Sequence, residues 1–383
     1  MNRLIYLDNA ATTQVYPEVV DAMLPFFTEH YGNPSAIYSF ADEAESAVDK
    51  ARGEVANLIG AQKEEIYFTG GGSESDNWAL KATAEAYSNK GKHIITTAIE
   101  HHAILHTAQW LEKHGFEVTY VGVDEDGKVK LDELKAAIRP DTILISVMAA
   151  NNEIGTIQPV ERIAGIAKRQ NILFHTDAVQ AYTNIPIDVK RQNIDMLSTS
   201  AHKICGPKGI GFLYIRNGTL KTPFINGGGQ ENGMRSGTEN VAGIIGFAKA
   251  AAIAMHNRKY RISRESELRN YMINRVLSMI PGSKLNGSIR NRLPNNCSFC
   301  FKNIDGAALI AMLDEQEICA SAGSACSSAS KEGSHVLRAI GLNDELVHGT
   351  VRLTINEEIT RGQMDYVIEC LRKDVYELRK LSM

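Results

Sequence analysis

Short apolar runs alternate with helical stretches over about the first 240 residues of the chain. The runs lie at residues 65–69, 93–97, 117–121, 142–147 and 172–175. Their length and their content of Ile, Val, Thr and aromatic residues are typical of buried strands. Between them, residues 41–59, 103–114 and 160–170 carry apolar positions at helical spacing. Strands that alternate with helices form a mostly parallel sheet covered on both faces, so the sequence predicts a large α/β domain.

The pattern changes near residue 240. Long helical stretches continue to about Met279, and Pro281 and Gly282 then interrupt them. Short strands and helices follow as far as a helical end near Leu381. We expect a large domain over residues 1–255 and a smaller α+β domain over residues 256–383, with the first 15 or so residues packed on the smaller one.

Composition indicates an ordinary globular protein. Apolar residues make up 44% and charged residues 22% of the 383 positions, and the net charge is −4. This balance predicts neither direct binding to nucleic acid nor a membrane-binding surface. The opening residues lack the apolar core of a signal peptide, and the longest apolar stretch, residues 241–255, is too short to span a bilayer. We therefore expect a cytoplasmic protein.

Six cysteines are scattered along the chain, at positions 205, 297, 300, 319, 326 and 370. A disulfide framework is typical of short secreted domains, so reduced thiols are expected here. Cys297 and Cys300 have the spacing of a redox motif, but they lie in a strand-like run that would turn them to opposite faces. The spacings favour no stable metal site.

A glycine run follows the first apolar strand. Gly70, Gly71 and Gly72 allow a ligand to approach the backbone, and Ser73 precedes a helical stretch whose free N–H groups favour a phosphate. A capping box between Ser73 and Asp76 explains the same residues equally well. The segment alone leaves both interpretations open.

Two further segments carry groups that a pyridinium cofactor needs. Asp177 ends the strand that begins at Ile172, where it can pair with a protonated ring nitrogen or form a turn. Lys203 stands in a tight turn bounded by glycine, where an amine can form a Schiff base and carry a proton. Ser200 and His202 offer hydrogen bonds to a phosphate beside it. Together the three segments are far more specific than any one of them.

Motifs spread over nearly the whole chain agree with one family in order. They are Tyr6 to Thr13, Tyr31 to Ser35, Glu100-His101, Asn151 to Gly155, the three segments above, Gly233 to Thr238, and Ser321 to Ser328. The chain resembles the class V aminotransferase-like enzymes that use pyridoxal phosphate (PLP), and within them the NifS/IscS-type cysteine desulfurases. The resemblance implies PLP fold type I, an α/β fold with a large, mostly parallel sheet domain and a smaller α+β domain.

The resemblance assigns roles around the cofactor ring. Lys203 matches the lysine that carries PLP, and Asp177 matches the partner of the ring nitrogen. Gln180 matches the group near the phenolic oxygen of the ring. His101 matches a histidine that stacks on the ring and carries protons. Lys203, His101 and Cys326 are therefore the expected catalytic residues.

The resemblance also places the phosphate and the substrate. Gly72, Ser73, Ser200 and His202 match the phosphate site, and Thr238 matches a phosphate contact from a neighbouring subunit, which implies a homodimer. Asn152, which also borders the cofactor, and Arg352 match groups that hold the substrate carboxylate. Arginine suits that role because it can grip a carboxylate with two hydrogen bonds.

Cys326 lies in a run of alanine and serine residues from 320 to 330. Such a run has little bulk to pack, so we expect a mobile loop, although an inert linker is the ordinary interpretation of this composition. The resemblance makes Cys326 the nucleophile that takes sulfur from L-cysteine as a persulfide, releases L-alanine and passes the sulfur to an acceptor. An iron–sulfur scaffold is the expected acceptor, and Cys326 could then contact a cluster transiently.

Three positions depart from the family pattern: Asn232 where Arg is frequent, His102 where Lys is common, and Cys205 where a larger residue is usual.

Alternative functions are a sulfur supply for tRNA thiolation, a selenocysteine lyase, an aminotransferase, or a sulfur-delivery protein without PLP chemistry. The string around Cys326 disfavours the lyase, which has a different pattern there, and the aminotransferase, which needs no cysteine.

Overall fold

A computed structural model describes residues 4–322 and 333–381 of the chain. Twelve strands occur in these residues. They are β1 Ile5–Tyr6, β2 Ile66–Thr69, β3 His93–Thr97, β4 Glu117–Val121, β5 Thr142–Ser146, β6 Leu173–Asp177, β7 Met196–Ser198, β8 Gly211–Ile215, β9 Ser283–Leu285, β10 Asn296–Phe301, β11 Ile318–Cys319 and β12 Thr350–Thr354.

Thirteen α-helices occur in the same residues. They are α1 Pro17–Met23, α2 Pro25–Thr28, α3 Asp42–Asn57, α4 Gly72–Tyr87, α5 His102–Glu112, α6 Leu131–Ala136, α7 Val160–Arg169, α8 Val241–His256, α9 Arg258–Met279, α10 Gly306–Glu315, α11 His335–Ala339, α12 Asp344–His348 and α13 Arg361–Leu381. None of them is both long enough and apolar enough to cross a bilayer.

Seven strands form the central sheet, in the order β2-β8-β7-β6-β5-β3-β4. The five strands from β7 to β4 in this order pair in parallel, while β8 pairs antiparallel with both of its neighbours. Strands β3, β5, β7 and β8 are buried along their whole length. Burial on both faces explains why these strands appear in the sequence as continuous apolar runs rather than as alternating patterns. The predicted fold class is confirmed.

The C-terminal part builds a second, smaller sheet. Strands β12, β10 and β9 pair antiparallel in that order, and β1 from the N-terminus pairs in parallel with β11. A hydrophobic cluster joins this sheet to α9, α10 and α13, and Ile5 and Leu7 belong to it. A different cluster fills the central sheet, and it also takes in Val336, Leu337 and Ile340 from α11 and its end. The domain boundary at residue 255 stays a prediction, which the separate clusters support.

The predicted bounds of three helices lie within two residues of the observed bounds. The helix expected at residues 41–59 is α3, which ends at Asn57, and Gly60 follows with a φ of +72°. Glycine suits this position because a side chain would strain the left-handed backbone. The helices expected at 103–114 and 160–170 are α5 and α7. The predicted mobility of the loop with Cys326 concerns residues outside those described.

Candidate active site

A cavity of about 270 Å³ lies beyond the carboxyl ends of the central strands. In α/β sheets this edge is where ligands bind, because loops and helix N-termini converge there. Ten of the predicted site residues line the cavity: Gly72, Ser73, His101, Asn152, Asp177, Gln180, Ser200, His202, Lys203 and Arg352. Thr238 does not line it and is exposed on the surface, and Cys326 lies outside the described residues.

The glycine run forms one end of the cavity. Helix α4 begins at Gly72, and Gly71 before it has a φ of +142° that only glycine adopts easily. A Cβ on Gly72 would lie 2.6 Å from Cγ2 of Val179, so a larger residue would fill the space. Ser73 is inside the helix rather than at its cap, so the capping-box interpretation is wrong. The free N–H groups of this helix start, together with Ser200 and His202, suit a phosphate.

An acidic side chain next to this phosphate site, Glu74, is already paired. Glu74 accepts a hydrogen bond from the backbone N–H of Gly70 and lies 2.8 Å from Nε of Arg235. It borders an outer cavity together with Lys208. The ion pair with Arg235 balances the charge of Glu74, so this carboxylate leaves the site suitable for an anion.

A buried carboxyl faces the middle of the cavity. Asp177 ends β6 and accepts a hydrogen bond of 2.8 Å from the backbone N–H of Val179. Burial raises the pKa of Asp177 to about 6, while that N–H and the charge of Lys203 act in the opposite direction. Asp76, which also lines the cavity, is more strongly affected, and burial raises its pKa well above the usual value. Near neutral pH, Asp177, with a pKa of about 6, therefore carries the charge that a pyridinium nitrogen requires.

A histidine under the sheet edge connects three strands. His175 shares hydrogen bonds with Ser146 at 2.8 Å and Ser198 at 2.9 Å, and Nε2 lies 3.8 Å from Oδ1 of Asp76. Burial lowers the pKa of His175 to about 3. The imidazole of His175 is therefore neutral near neutral pH and adds no positive charge beside Asp76 and Asp177.

Substituting His175 by Gln should produce a stability difference that depends on pH. A histidine whose pKa falls on folding stabilises the protein fully above about pH 6.5 and loses this contribution as the pH falls. Because His175 must gain a proton on unfolding, the wild type should lose about 2 kcal/mol of stability from this residue between pH 7 and pH 5. The difference in unfolding free energy between wild type and H175Q should shrink by that amount, measured by urea unfolding.

His256→Gln is the control, because His256 lies exposed in the last turn of α8. Its stability difference from the wild type should change little over the same pH range. A difference for H175Q that widens on acidification would instead mean that His175 is charged and paired with Asp76.

His101 stands at the N-cap of α5, above the cavity. Its Nδ1 accepts a hydrogen bond from the backbone N–H of Ala103 at 3.1 Å, so the ring hydrogen is on Nε2. Burial, followed by the charge of Lys203, lowers the pKa of His101 to about 4. The neutral ring can therefore lie flat against a cationic cofactor ring and accept or return a proton.

The amine of Lys203 is held by the N-terminal segment. Lys203 ends a 3₁₀ turn after β7, and Nζ donates to the carbonyl oxygens of Ala10 at 2.5 Å and Ala11 at 2.7 Å. Nε2 of Gln180 donates to the same oxygen of Ala10 at 3.1 Å. These backbone acceptors fix the position of the amine at the bottom of the cavity.

Arg352 closes the opposite side. Its side chain is 1% exposed, and Nη2 lies 2.7 Å from Oδ1 of Asp8. Nη1 donates to the backbone oxygen of Asn152 at 3.1 Å. The cavity thus places a guanidinium across from an amine and a buried carboxylate, an arrangement suited to an amino acid bound to a pyridinium cofactor.

Several residues of the cavity were missed by the sequence analysis as functional groups: Ala10, Ala11, Asp76, Met148, Ala150 and Val179. Ala10 and Ala11 contribute through their backbone, which carries no signal of residue type. The sequence indicates Asp76 only as a helix-capping residue whose charge should point away from a phosphate, yet Asp76 lines the cavity. Its burial depends on the sheet that packs against it, and local sequence does not record this.

The structure shows the surroundings of the three positions that depart from the family pattern. Asn232 has a φ of +55°, a backbone conformation that asparagine tolerates better than most residues. Cys205 has a φ of +61°, and its N–H donates to Oγ1 of Thr13. The ring of His102 lies 4.9 Å from those of His106 and His335.

In residues 4–322 and 333–381, no cluster of His, Cys, Asp or Glu could hold a metal ion.

Comparisons with known proteins agree over the full length. Residues 5–367 match the model of the aminotransferase class-V family. The chain is 53% identical to a Clostridium botulinum protein named cysteine desulfurase IscS, covering 100% of this chain and 97% of the relative. It is 51% identical to cysteine desulfurase IscS of Methanosarcina thermophila, over 100% of this chain and 94% of that one.

Solved structures have the same fold. A structure named NifS-like protein has a TM-score of 0.92 and 39% identity, and covers 98% of this chain and 100% of its own. A structure titled SspA in complex with cysteine has a TM-score of 0.82 and 37% identity, and covers 93% of this chain and 100% of its own.

Proposed function

The chain belongs to the aminotransferase class-V family and, within it, to the cysteine desulfurases, and from that membership we infer its reaction. It is a PLP-dependent enzyme that converts L-cysteine to L-alanine and transfers the sulfur. The observation that carries this proposal is the single cavity that holds Lys203, Asp177, His101 and Arg352 together.

The cavity offers a suitable group for each part of PLP. The open glycine backbone and the start of α4 would hold the phosphate, with Ser200 and His202 beside it. Burial lowers the pKa of His202 to about 4, so its neutral ring can donate one hydrogen bond. Asp177 would pair with the ring nitrogen, and His101 would cover the ring. When bound, PLP supplies an aldehyde for covalent attachment and a ring that accepts electrons from the substrate.

Lys203 and His101 would move the protons. Lys203 would hold the cofactor through Nζ, and its amine is placed to remove the proton from the substrate Cα. Ala10 and Ala11 keep this amine in place through their carbonyl oxygens. His101, neutral with its hydrogen on Nε2, is the group that can deliver a proton near the substrate sulfur.

Arg352 and Asn152 would orient the substrate by its carboxylate, as the resemblance implies. Cys326 would then act as the nucleophile: its thiolate attacks the sulfur of the bound substrate. The carbon–sulfur bond of the substrate breaks, its electron pair stays on carbon, and carbon takes up a proton on the way to alanine. The sulfur stays on Cys326 as a persulfide.

The test is to measure alanine and sulfide from L-cysteine, with and without an added thiol reductant. We expect alanine in both cases, and sulfide equal to alanine only with the reductant, since the thiol must release the persulfide sulfur. Aminotransferase activity would instead give a keto acid. A higher kcat/KM for selenocysteine than for cysteine would favour a selenocysteine lyase.

The sulfur acceptor is proposed from the same resemblance. An iron–sulfur scaffold protein is the acceptor we favour, in a cytoplasmic setting that agrees with the scattered reduced cysteines. A sulfur relay to tRNA thiolation is the alternative, because it begins from the same persulfide. Persulfide transfer from the enzyme labelled with ³⁵S to purified candidate acceptors would decide between them.

We further propose a homodimer. Seven large apolar or aromatic side chains are exposed between residues 20 and 40: Val20, Leu24, Phe27, Tyr31, Ile37, Tyr38 and Phe40. A group of this size on a soluble domain is typical of a surface that another protein covers. Thr238, exposed and outside its own cavity, is free to contact the phosphate site of a second copy, as the resemblance implies.

Combining Phe27→Asp with Ile37→Asp should dissociate this dimer. Phe27 is 59% and Ile37 104% exposed, so neither change disturbs the core, but both bring charge into the proposed interface. Light scattering after size exclusion should show twice the chain mass for wild type and one chain mass for the variant, which should also lose PLP. Tyr376→Asp, also 59% exposed but on α13, should stay dimeric. A monomeric wild type at micromolar concentration would contradict the proposal.

A further inference from the structure

The guanidinium of Arg352 already has a carboxylate partner within the protein. Asp8 lies 2.7 Å from Nη2 through one oxygen only, and the side chain of Asp8 is 18% exposed. Nη1 bonds to a backbone carbonyl, and Nε has no hydrogen-bond partner in the described part of the chain. Asp8 therefore occupies fewer N–H donors of the guanidinium than a carboxylate bound through both of its oxygens would occupy.

The backbone keeps Asp8 beside Arg352. Thr354 donates its N–H to the oxygen of Leu7 at 2.6 Å, and Asn9 donates from Nδ2 to the oxygen of Thr354 at 2.7 Å. Both contacts join the residues next to Asp8 to β12, the strand that carries Arg352. The carboxylate of Asp8 is therefore always at high local concentration near the guanidinium.

We propose that Asp8 is an internal competitor for the carboxylate site: it pairs with Arg352 in the free enzyme and must yield to the carboxylate of a substrate or product. This inference rests on the proposed function, since it takes Arg352 as the group that binds the substrate carboxylate. Before the substrate binds, Asp8 compensates the buried charge of Arg352. It also weakens the binding of the substrate and product carboxylates, so that alanine can leave. Asp8 is thus a positioning residue that sets affinity.

Asp8→Asn tests the proposal in the holoenzyme. Asparagine keeps the size and removes the charge, so L-alanine, which has no sulfur to transfer, should bind about tenfold more tightly, a change of about 1.4 kcal/mol. Binding is measured by calorimetry. KM for L-cysteine should fall in the same direction, while kcat stays the same or falls because product leaves more slowly.

Thermal stability gives a readout that does not depend on activity. Without its partner carboxylate, Arg352 should lower the melting temperature of D8N, and sodium formate should restore it more than sodium chloride at equal ionic strength. Asp195→Asn is the matched control, because Asp195 pairs with Arg216 at 3.0 Å and neither residue lines the active-site cavity. Formate should not restore D195N preferentially.

A double-mutant cycle separates competition from a merely structural role. In an Arg352→Gln background the guanidinium is absent, so Asp8→Asn should no longer tighten the binding of L-alanine. Unchanged or weaker binding of L-alanine by D8N in the otherwise wild-type enzyme would overturn the inference, even with normal desulfurase activity. Lack of desulfurase activity in the wild type would overturn the proposed function and leave the formate result as the test of Asp8.

If Asp8→Asn does not fold, Asp8→Ser removes the same charge and leaves room for water. We expect the same tightening for this variant. If neither variant folds in buffer, folding of both in excess formate would support the proposal, and failure in formate as well would overturn it.

Discussion

Replacing Lys203 by alanine should reduce the formation of alanine from L-cysteine by at least about 1,000-fold, within the range expected when a positioned acid–base group is lost. The amine of Lys203 donates hydrogen bonds to two adjacent backbone carbonyls, those of Ala10 and Ala11. Among the described residues, no other side-chain nitrogen of the cavity has this pair of acceptors. Under the proposed mechanism, removing the amine deletes both the covalent hold on PLP and the base that takes the Cα proton. Single-turnover measurement with saturating cysteine isolates this chemical step.

Borohydride reduction gives a second readout for the same variant. The wild-type enzyme should retain PLP on the peptide that contains Lys203 after reduction and proteolysis, and K203A should retain it on no peptide. Lys190→Ala is the control, since Lys190 is exposed and does not line the cavity. Its activity and its labelled peptide should match the wild type. Label on another lysine of K203A, with turnover maintained, would contradict the assignment.

The sequence predicts the central sheet well because its signals are local. Burial on both faces produces apolar runs such as β3 and β5, whose observed bounds differ from the predicted ones by at most one residue. The edge at which the cavity lies follows from strands that run in parallel. The strand order depends instead on contacts between distant segments, as with β8, which stands between β2 and β7 and antiparallel to both.

The cavity wall shows the limit of local signals most clearly. Lys203 is fixed by Ala10 and Ala11, more than 190 residues away in the chain, and Arg352 is paired with Asp8 at a separation of 344 residues. Nothing near Asp8 in the sequence points to an arginine, although its motif was part of the family resemblance. The motif identified the segment, and only the fold shows what its carboxylate contacts.

The cysteines of the described residues are poor candidates for a nucleophile. Burial raises the pKa of the Cys297 thiol to about 12 and that of Cys300 to about 11. It also raises the pKa of Cys205, Cys319 and Cys370. Since the thiolate is the reactive form, these five thiols are mostly protonated and unreactive near neutral pH. The resemblance gives the sulfur-transfer role to Cys326, and the raised pKa values of the other five thiols agree with that proposal.

Cys326→Ala should abolish the release of sulfide from L-cysteine in the presence of a thiol reductant, while the visible absorbance of bound PLP stays as in the wild type. Under the proposed mechanism, the substrate would still bind through Arg352 and lose its Cα proton to Lys203, but no thiolate would remain to take the sulfur. Exchange of the Cα hydrogen of L-cysteine with deuterium from the solvent, followed by NMR, should therefore persist in C326A.

Cys319→Ala is the matched control, because Cys319 lies in β11 seven residues earlier, and it should release sulfide normally. Sulfide release by C326A at the wild-type rate would show that the sulfur leaves without this cysteine, whereas loss of the hydrogen exchange as well would place Cys326 in substrate binding rather than in sulfur transfer.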